Sequence, residues 1–204
     1  MGLLPQHERQ GIAPRFACRL ALVAVEWTTC EVPGLLQSSP FASHDDRGSF
    51  TKVLAGDLPG QPALIPDEVF WSHSHRGVLR GLHVQVPPHV GRKMIMVTSG
   101  EVRDFVLDLR HGSPWFGRLW EGKITARDGA LLIPAGCAHG FEALSDEVTM
   151  VYLQECTYNE ASDTGVLWSS VGLVPNTPHP AVSRRDSQLP PLQQFDSPFT
   201  FQSS

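Results

Sequence analysis

Apolar stretches of strand length recur along this chain, each closed within a few residues by glycine, proline or a polar turn. No long amphipathic helical period runs between them, so the chain must build its core from short strands. Glycine (18) and proline (17) supply 35 of the 204 residues, which suits many turns and not a helical bundle. Arg19–Trp27 (RLALVAVEW) is apolar and reads as a buried strand, followed by a loop through Pro33, Gly34 and the SSPFASHDD stretch. Further strands are expected at 49–54, 69–74, 77–85, 93–98, 101–109, 115–120, 122–125, 130–134 and 149–155. Ser99-Gly100 makes a hairpin connection between two of them. Strands about 8–12 residues apart with turns between them point to an all-β sandwich or barrel.

The length fits a single domain, expected over 1–196, with an N-terminal arm at 1–16 and a proline-rich wrapping segment at 175–196. The end, 197–204, is expected to be a flexible tail. Sixteen basic against 21 acidic residues give a net charge of −5, which argues against a nucleic-acid surface while leaving room for a local anion pocket. No apolar run reaches the roughly 18 residues of a membrane span, and Met1–Phe16 has no hydrophobic signal core, so a cytoplasmic location is expected. Cys18, Cys30, Cys137 and Cys156 show no CxxC spacing and are read as buried free thiols.

Three segments carry chemistry. In Arg76–Gln85 (RGVLRGLHVQ), strand alternation places Arg80 with Leu82 and His83 with Gln85, and Lys93 follows His83 at ten residues. Gly81 marks a close approach of another backbone. Ile133–Phe141 is a turn that delivers His139 at the mouth of a strand, and Ser183-Arg184-Arg185-Asp186 sets two cations beside a carboxylate. Asp104 and Asp108 share a strand face and read as structural.

The ordered set Asp46-Arg47-Gly48-Ser49-Phe50, GVLRGLHVQ, Lys93, Ser99–Val102, Asp108–Arg110 with Gly112-Ser113-Pro114, Ile133–Phe141, Tyr152–Gly165 and Ser183–Asp186 resembles one family. It is that of the nucleotide-sugar epimerases typified by dTDP-4-dehydrorhamnose 3,5-epimerase. The resemblance implies a cupin-type jelly-roll β-sandwich or barrel with few short helices. It also implies proton abstraction alpha to the C4 ketone of a nucleotide-diphospho 4-keto-6-deoxyhexose, with reprotonation on the opposite face.

By that resemblance His83 is the base, Asp186 its carboxylate partner, Lys93 the cation facing the C4 oxygen and Tyr158 the opposing acid. Arg47, Arg80 and Arg185 match phosphate-side positions, Gln85 a polar ligand contact, and His139 a pocket histidine. Phe50 or Trp71 is a candidate to stack on the base. No cofactor or metal is implied, because lysine supplies the positive charge. A homodimer with exchanged N-terminal strands is implied, and no nucleic acid or membrane partner.

The chain departs from the family at several points. Val69-Phe70-Trp71 stands where many members carry Gln-Asp-Asn, Val84 replaces the tyrosine of RGLHYQ, and Leu153 stands where lysine is frequent. These changes fall where the nucleotide or sugar would be read. Two other classes stand beside the epimerase. A metal-dependent cupin dioxygenase or isomerase would need an HxH pair and a glutamate, where this chain has His83-Val84-Gln85. A non-catalytic nucleotide-sugar binding cupin would bind the ligand and exchange no protons.

Overall fold

The computed structural model describes residues 25–202. Fourteen short strands run in chain order: β1 (Glu26–Thr29), β2 (Leu36–Ser39), β3 (Phe41–Asp45), β4 (Gly48–Lys52), β5 (Glu68–His75), β6 (Val78–Gln85) and β7 (Lys93–Ser99). Then come β8 (Glu101–Asp108), β9 (Leu119–Thr125), β10 (Ala130–Ile133), β11 (Cys137–Ala143), β12 (Glu147–Gln154), β13 (Asp163–Gly165) and β14 (Ala181–Val182). Apart from three single 3-10 turns, at Trp168–Val171, Asp186–Gln188 and Leu192–Gln194, the described residues form no helix.

One antiparallel sheet has the order β1-β2-β10-β7-β12-β5; the other has β13-β6-β11-β8-β9, with β14 added parallel to β6. A buried cluster joins their facing sides: Ile95, Leu131 and Met150 from the first sheet meet Val102, Val106 and Phe141 from the second. Burying each such side chain contributes about 1.5–3 kcal/mol, so this shared layer is what holds the two sheets face to face. The all-β sandwich read from the strand pattern is the observed architecture. A second cluster lies on the outer side of the second sheet, where Leu82, Phe105, Leu107 and Ala138 are covered by Val166, Leu173 and Phe199.

Several local expectations change. The loop expected after Pro33 contains β2 and β3, and the expected segments at 115–120 and 122–125 merge into β9 after a turn. Ile133–Phe141 is a turn only as far as Gly136; from Cys137 it is the fully buried strand β11. Most of Arg19–Trp27 lies outside the described residues, as do the arm at 1–16 and Cys18. The end of the chain, expected to be flexible from 197, is docked as far as it is described. Phe199 is buried, and its carbonyl accepts the His111 N–H (2.9 Å) while Phe201 N–H donates back to the His111 carbonyl (2.8 Å).

The alternation expected along β6 holds for His83 and Gln85 but fails for Arg80 and Leu82, with consequences for the site. His83 pairs with His139 on β11, but Arg80 pairs with Phe141, so Gly81 and Leu82 of β6 together oppose Gly140 of β11. This bulge reverses the facing of the strand. Leu79 and Leu82 both point to the outer cluster, and Arg80 joins His83 in lining the interior. Gly81 makes the bulge possible: its φ is +107°, and a Cβ there would lie 2.6 Å from both the His139 carbonyl oxygen and Gly140 Cα. The expected close approach at Gly81 is therefore the backbone of β11.

Candidate active site

The inner faces of β7 and β12 are apolar at Ile95, Val97, Val148 and Met150 and turn polar at Lys93 and Gln154, where the sheets part. There the sheets enclose a cavity of about 440 Å³ whose lining includes His83, Lys93, His139, Tyr158, Asp163 and Arg185. Next to it is a second cavity of about 190 Å³, and Phe70, His83, Lys93 and His139 line both.

His83 is held from behind by the tail. β14 docks parallel on the start of β6 and delivers the Ser183–Asp186 turn to the bulge. Ser183 Oγ accepts the Asp186 N–H (3.0 Å), and its carbonyl accepts the Ser187 N–H (3.0 Å). Asp186 is buried; one carboxylate oxygen contacts His83 Nε2 (2.8 Å) and the other accepts the Gly81 N–H (2.9 Å). Burial alone would raise the Asp186 pKa, but the hydrogen bond and charge of His83 and the Gly81 amide outweigh it and lower it to about 2. An ionised Asp186 accepts a hydrogen bond from Nε2–H, which leaves Nδ1 as the ring nitrogen that can take a proton.

Lys93 opens β7 between Ile133 of β10 and Gln154 of β12. Desolvation by burial lowers its pKa below the ordinary 10.5, against the opposing pull of Asp163, Cys156 and Asp104. His139 sits across from His83 and is buried, with Nε2 against Asp104 Oδ2 at 2.9 Å. Asp104 is fully buried, its other oxygen has no hydrogen-bond partner among the described residues, and burial raises its pKa despite His139 and Lys93. The structural role expected of both aspartates holds for Asp108, which is tied to Arg110 and Ser113. Asp104 holds His139 from behind the cavity wall.

Tyr158 stands at the rim, 58% exposed, with its N–H donated to Glu68 (2.8 Å). Partial desolvation and then the Asp163 carboxylate raise its phenol pKa, which keeps it a protonated acid. Arg185 lines the first cavity and forms an ion pair with Asp163. Arg80 lines the second cavity and donates to Ser74 Oγ (3.0 Å) and the His73 carbonyl (3.1 Å). Gln85 lines the first cavity, but its amide is engaged with the loop carrying Tyr158. It accepts the Asn159 N–H (2.7 Å) and donates to the Thr157 carbonyl (3.2 Å).

Two expected ligand residues are not brought to this cavity. Arg47 and Phe50 lie on the β3–β4 hairpin, which pairs with neither sheet. Arg47 is tied to Asp45 of the same hairpin, and Phe50 is exposed. Asp104, Asp163 and Phe70 are site residues that the sequence reading did not pick out as such. Asp163 sits inside the Tyr152–Gly165 element without a signature of its own. Among the described residues no three histidine, cysteine, aspartate or glutamate side chains are grouped so as to hold a metal ion.

The arrangement offers a carboxylate-backed imidazole, a half-buried ammonium and a phenol around one cavity, with guanidinium groups at its edge. Such a set can remove a proton beside a carbonyl, stabilise the resulting enolate and return a proton. The family profile described as dTDP-4-dehydrorhamnose 3,5-epimerase matches residues 29–194. The chain belongs to the dTDP-4-dehydrorhamnose 3,5-epimerase family. A relative of that name from Shigella flexneri is 35% identical over 165 residues, covering 76% of this chain and 90% of the relative.

Among solved structures, the family's dTDP-6-deoxy-D-glucose-3,5-epimerase from Legionella pneumophila, in complex with dTDP-4-keto-L-rhamnose, superposes with a TM-score of 0.79. It is 26% identical and covers 88% of this chain and 100% of its own. The 3'-monoepimerase ChmJ from Streptomyces bikiniensis, in complex with dTDP-quinovose, has a TM-score of 0.72 and 31% identity over 80% of this chain and 86% of its own. Epimerases of one and of two positions thus share this fold.

Proposed function

We propose that the chain epimerises a dTDP-linked 4-keto-6-deoxyhexose at C3, C5 or both. The single observation that carries this reading is the His83–Asp186 contact at 2.8 Å on the wall of a cavity that also holds Lys93. His83 Nδ1 takes the proton from the carbon beside the ketone, and the imidazolium so formed is stabilised by Asp186. The C4 oxygen gains charge as the proton leaves, and the Lys93 ammonium stabilises it; burial strengthens that interaction relative to water. Tyr158 returns a proton from the opposite side, which inverts the centre. The imidazolium then releases its proton to solvent and the phenolate regains one from it, which resets both groups and carries solvent hydrogen into the product.

Arg185 and Arg80 serve the diphosphate, with Arg185 exchanging its Asp163 partner for phosphate oxygens. Arg47 and Phe50 enter this reading through a second copy of the chain. Among the described residues β5 is an edge of its sheet and carries Val69 and Trp71, 57% and 65% exposed, a row that a partner protomer would cover. In that homodimer the β3–β4 hairpin brings Arg47 and Phe50 to the partner's cavity. Among the described residues no helix is long and apolar enough to cross a membrane. The cytoplasmic location expected from the sequence remains part of this proposal.

Solvent exchange tests the reading. In D2O the protein should wash deuterium into C3, C5 or both of dTDP-4-keto-6-deoxyglucose, and His83→Ala should not. A nucleotide-sugar binding protein would show binding and no exchange.

A further inference from the structure

Lys93 is the first residue of β7, and the ends of elements open more readily than their centres. Here the pairing continues one step past it. Glu155 N–H donates to the Arg92 carbonyl (3.1 Å), and Arg92 N–H donates to Glu155 Oε2 (3.2 Å). The side chains close the same junction: Arg92 Nε donates to Glu155 Oε2 (2.8 Å) and Nη2 to Oε1. Nη1 donates to the Pro62 carbonyl (2.8 Å) and to Gln61 Oε1 (3.4 Å), and Nη2 also to the Ala63 carbonyl (2.9 Å). All five guanidinium N–H groups therefore have acceptors. Gln61 is tied in turn to the Gly34 carbonyl (2.8 Å). The Arg92 and Glu155 side chains are only 12% and 23% exposed, so solvent screens this pair less than a surface one.

Strand alternation sets the pair on the opposite face from the chemistry. Lys93 shares a face with Ile95 of the cluster between the sheets, whereas Met94 packs with Leu58 and Leu132 in a separate cluster. Arg92 lies on the Met94 side. Gly91, Gln154 and Cys156 line the first cavity with Lys93, and Arg92 and Glu155 do not. The pair is set back from the cavity, yet it adjoins Lys93 on β7 and Gln154 on β12, which are partners in register. An ammonium that must meet a developing oxyanion tolerates little displacement. A misplacement of about 1 Å can cost about a hundredfold in rate.

We propose that Arg92 and Glu155 are positioning residues for Lys93, a clamp behind the cavity that fixes its ammonium against the C4 oxygen. The inference rests on the epimerase reading of Lys93 and adds what holds that group in place.

The test measures kcat for deuterium exchange on dTDP-4-keto-6-deoxyglucose and, separately, the Kd of dTDP. The variants are Arg92→Met, Glu155→Gln and the two combined, and retained dTDP binding shows that each is folded. Each should lose about tenfold to a hundredfold in kcat, with Kd within about threefold of the unsubstituted protein. The combined variant should be slower than the worse single one by no more than about threefold, because both substitutions break one unit. Arg92→Lys, which keeps the charge without the fork, should fall between. The decisive comparison uses Lys93→Met as the background. There Arg92→Met or Glu155→Gln should cost less than about threefold more, since no ammonium remains to be placed. A merely structural pair would slow exchange by the same factor in both backgrounds. That result, a loss of dTDP affinity that matches the loss in kcat, or near-normal kcat in both single variants overturns the role while leaving the epimerase intact. No exchange by the unsubstituted protein overturns the epimerase reading and this inference with it.

Discussion

Asp186 reaches His83 from 103 residues further along the chain, and the same carboxylate accepts the backbone N–H of Gly81 two residues before the histidine. One group therefore fixes both the imidazole and the bulge that aims it. Replacing Asp186 with Asn keeps a side chain of the same size but removes the charge that stabilises the imidazolium and sets the tautomer. The expected loss is about 100- to 10,000-fold in kcat, with KM changed much less. Steady-state exchange rates measure this, and a near-normal kcat would remove Asp186 from the proton chemistry.

The same carboxylate makes a signed prediction for stability. Its pKa is lowered to about 2 in the fold from 3.8, so its ionised form binds the folded state better than the unfolded one. The stabilisation is complete above about pH 4 to 5 and is lost as pH falls toward 2. Urea denaturation at pH 6 and pH 3 should show a smaller loss of stability for Asp186→Asn than for the unsubstituted protein. Equal losses would mean that Asp186 is not held ionised by its neighbours.

Lys93 acts as a cation, and burial lowers its pKa below 10.5. Activity should accordingly fall on the alkaline side at a pH below that of an ordinary lysine. Lys93→Met should reduce kcat by at least about a hundredfold, since it removes the charge opposite the developing enolate. In Lys93→Arg, whatever its rate, the alkaline limb should move upward, because guanidinium stays charged. A pH–rate profile of each protein checks this, and an unmoved limb would assign the titration to another group.

The large strands could be read from the sequence because glycine and proline mark their ends and their apolar content is high. β2 and β3 escaped notice because Pro40 interrupts them and β3 carries Ser43, His44 and Asp45, residues typical of loops. β11 reads as a turn because Gly136 and Gly140 bracket Cys137 and His139, yet every residue of that strand is buried. Motif resemblance identified His83, Lys93 and Asp186, which the fold brings together from β6, β7 and the tail. Simple alternation set Arg80 with Leu82; the bulge at Gly81 is a tertiary feature, created by the approach of β11. Asp104 was legible only as sharing a strand face with Asp108, and its pairing with His139 needs the β8–β11 register.

The hairpin makes a prediction about assembly. If Arg47 serves the partner's cavity, mixing inactive His83→Ala with inactive Arg47→Ala and allowing subunits to exchange restores one intact site per mixed dimer. Up to about a quarter of full activity should return, because half the dimers are mixed and each has one complete site of two. Light scattering should give a dimer mass for each variant. Dimers that exchange without regaining activity would place Arg47 outside the partner's site.

The most direct test follows the C3 and C5 protons of dTDP-4-keto-6-deoxyglucose by NMR in D2O, with the unsubstituted protein and with His83→Ala. The account predicts loss of the C3–H signal, the C5–H signal or both with the unsubstituted protein, and neither with the variant. Loss of both marks a 3,5-epimerase; loss of one marks a mono-epimerase. Persistence of both signals with correctly folded, ligand-binding protein, or equal exchange by His83→Ala, would contradict the assignment of His83 as the base.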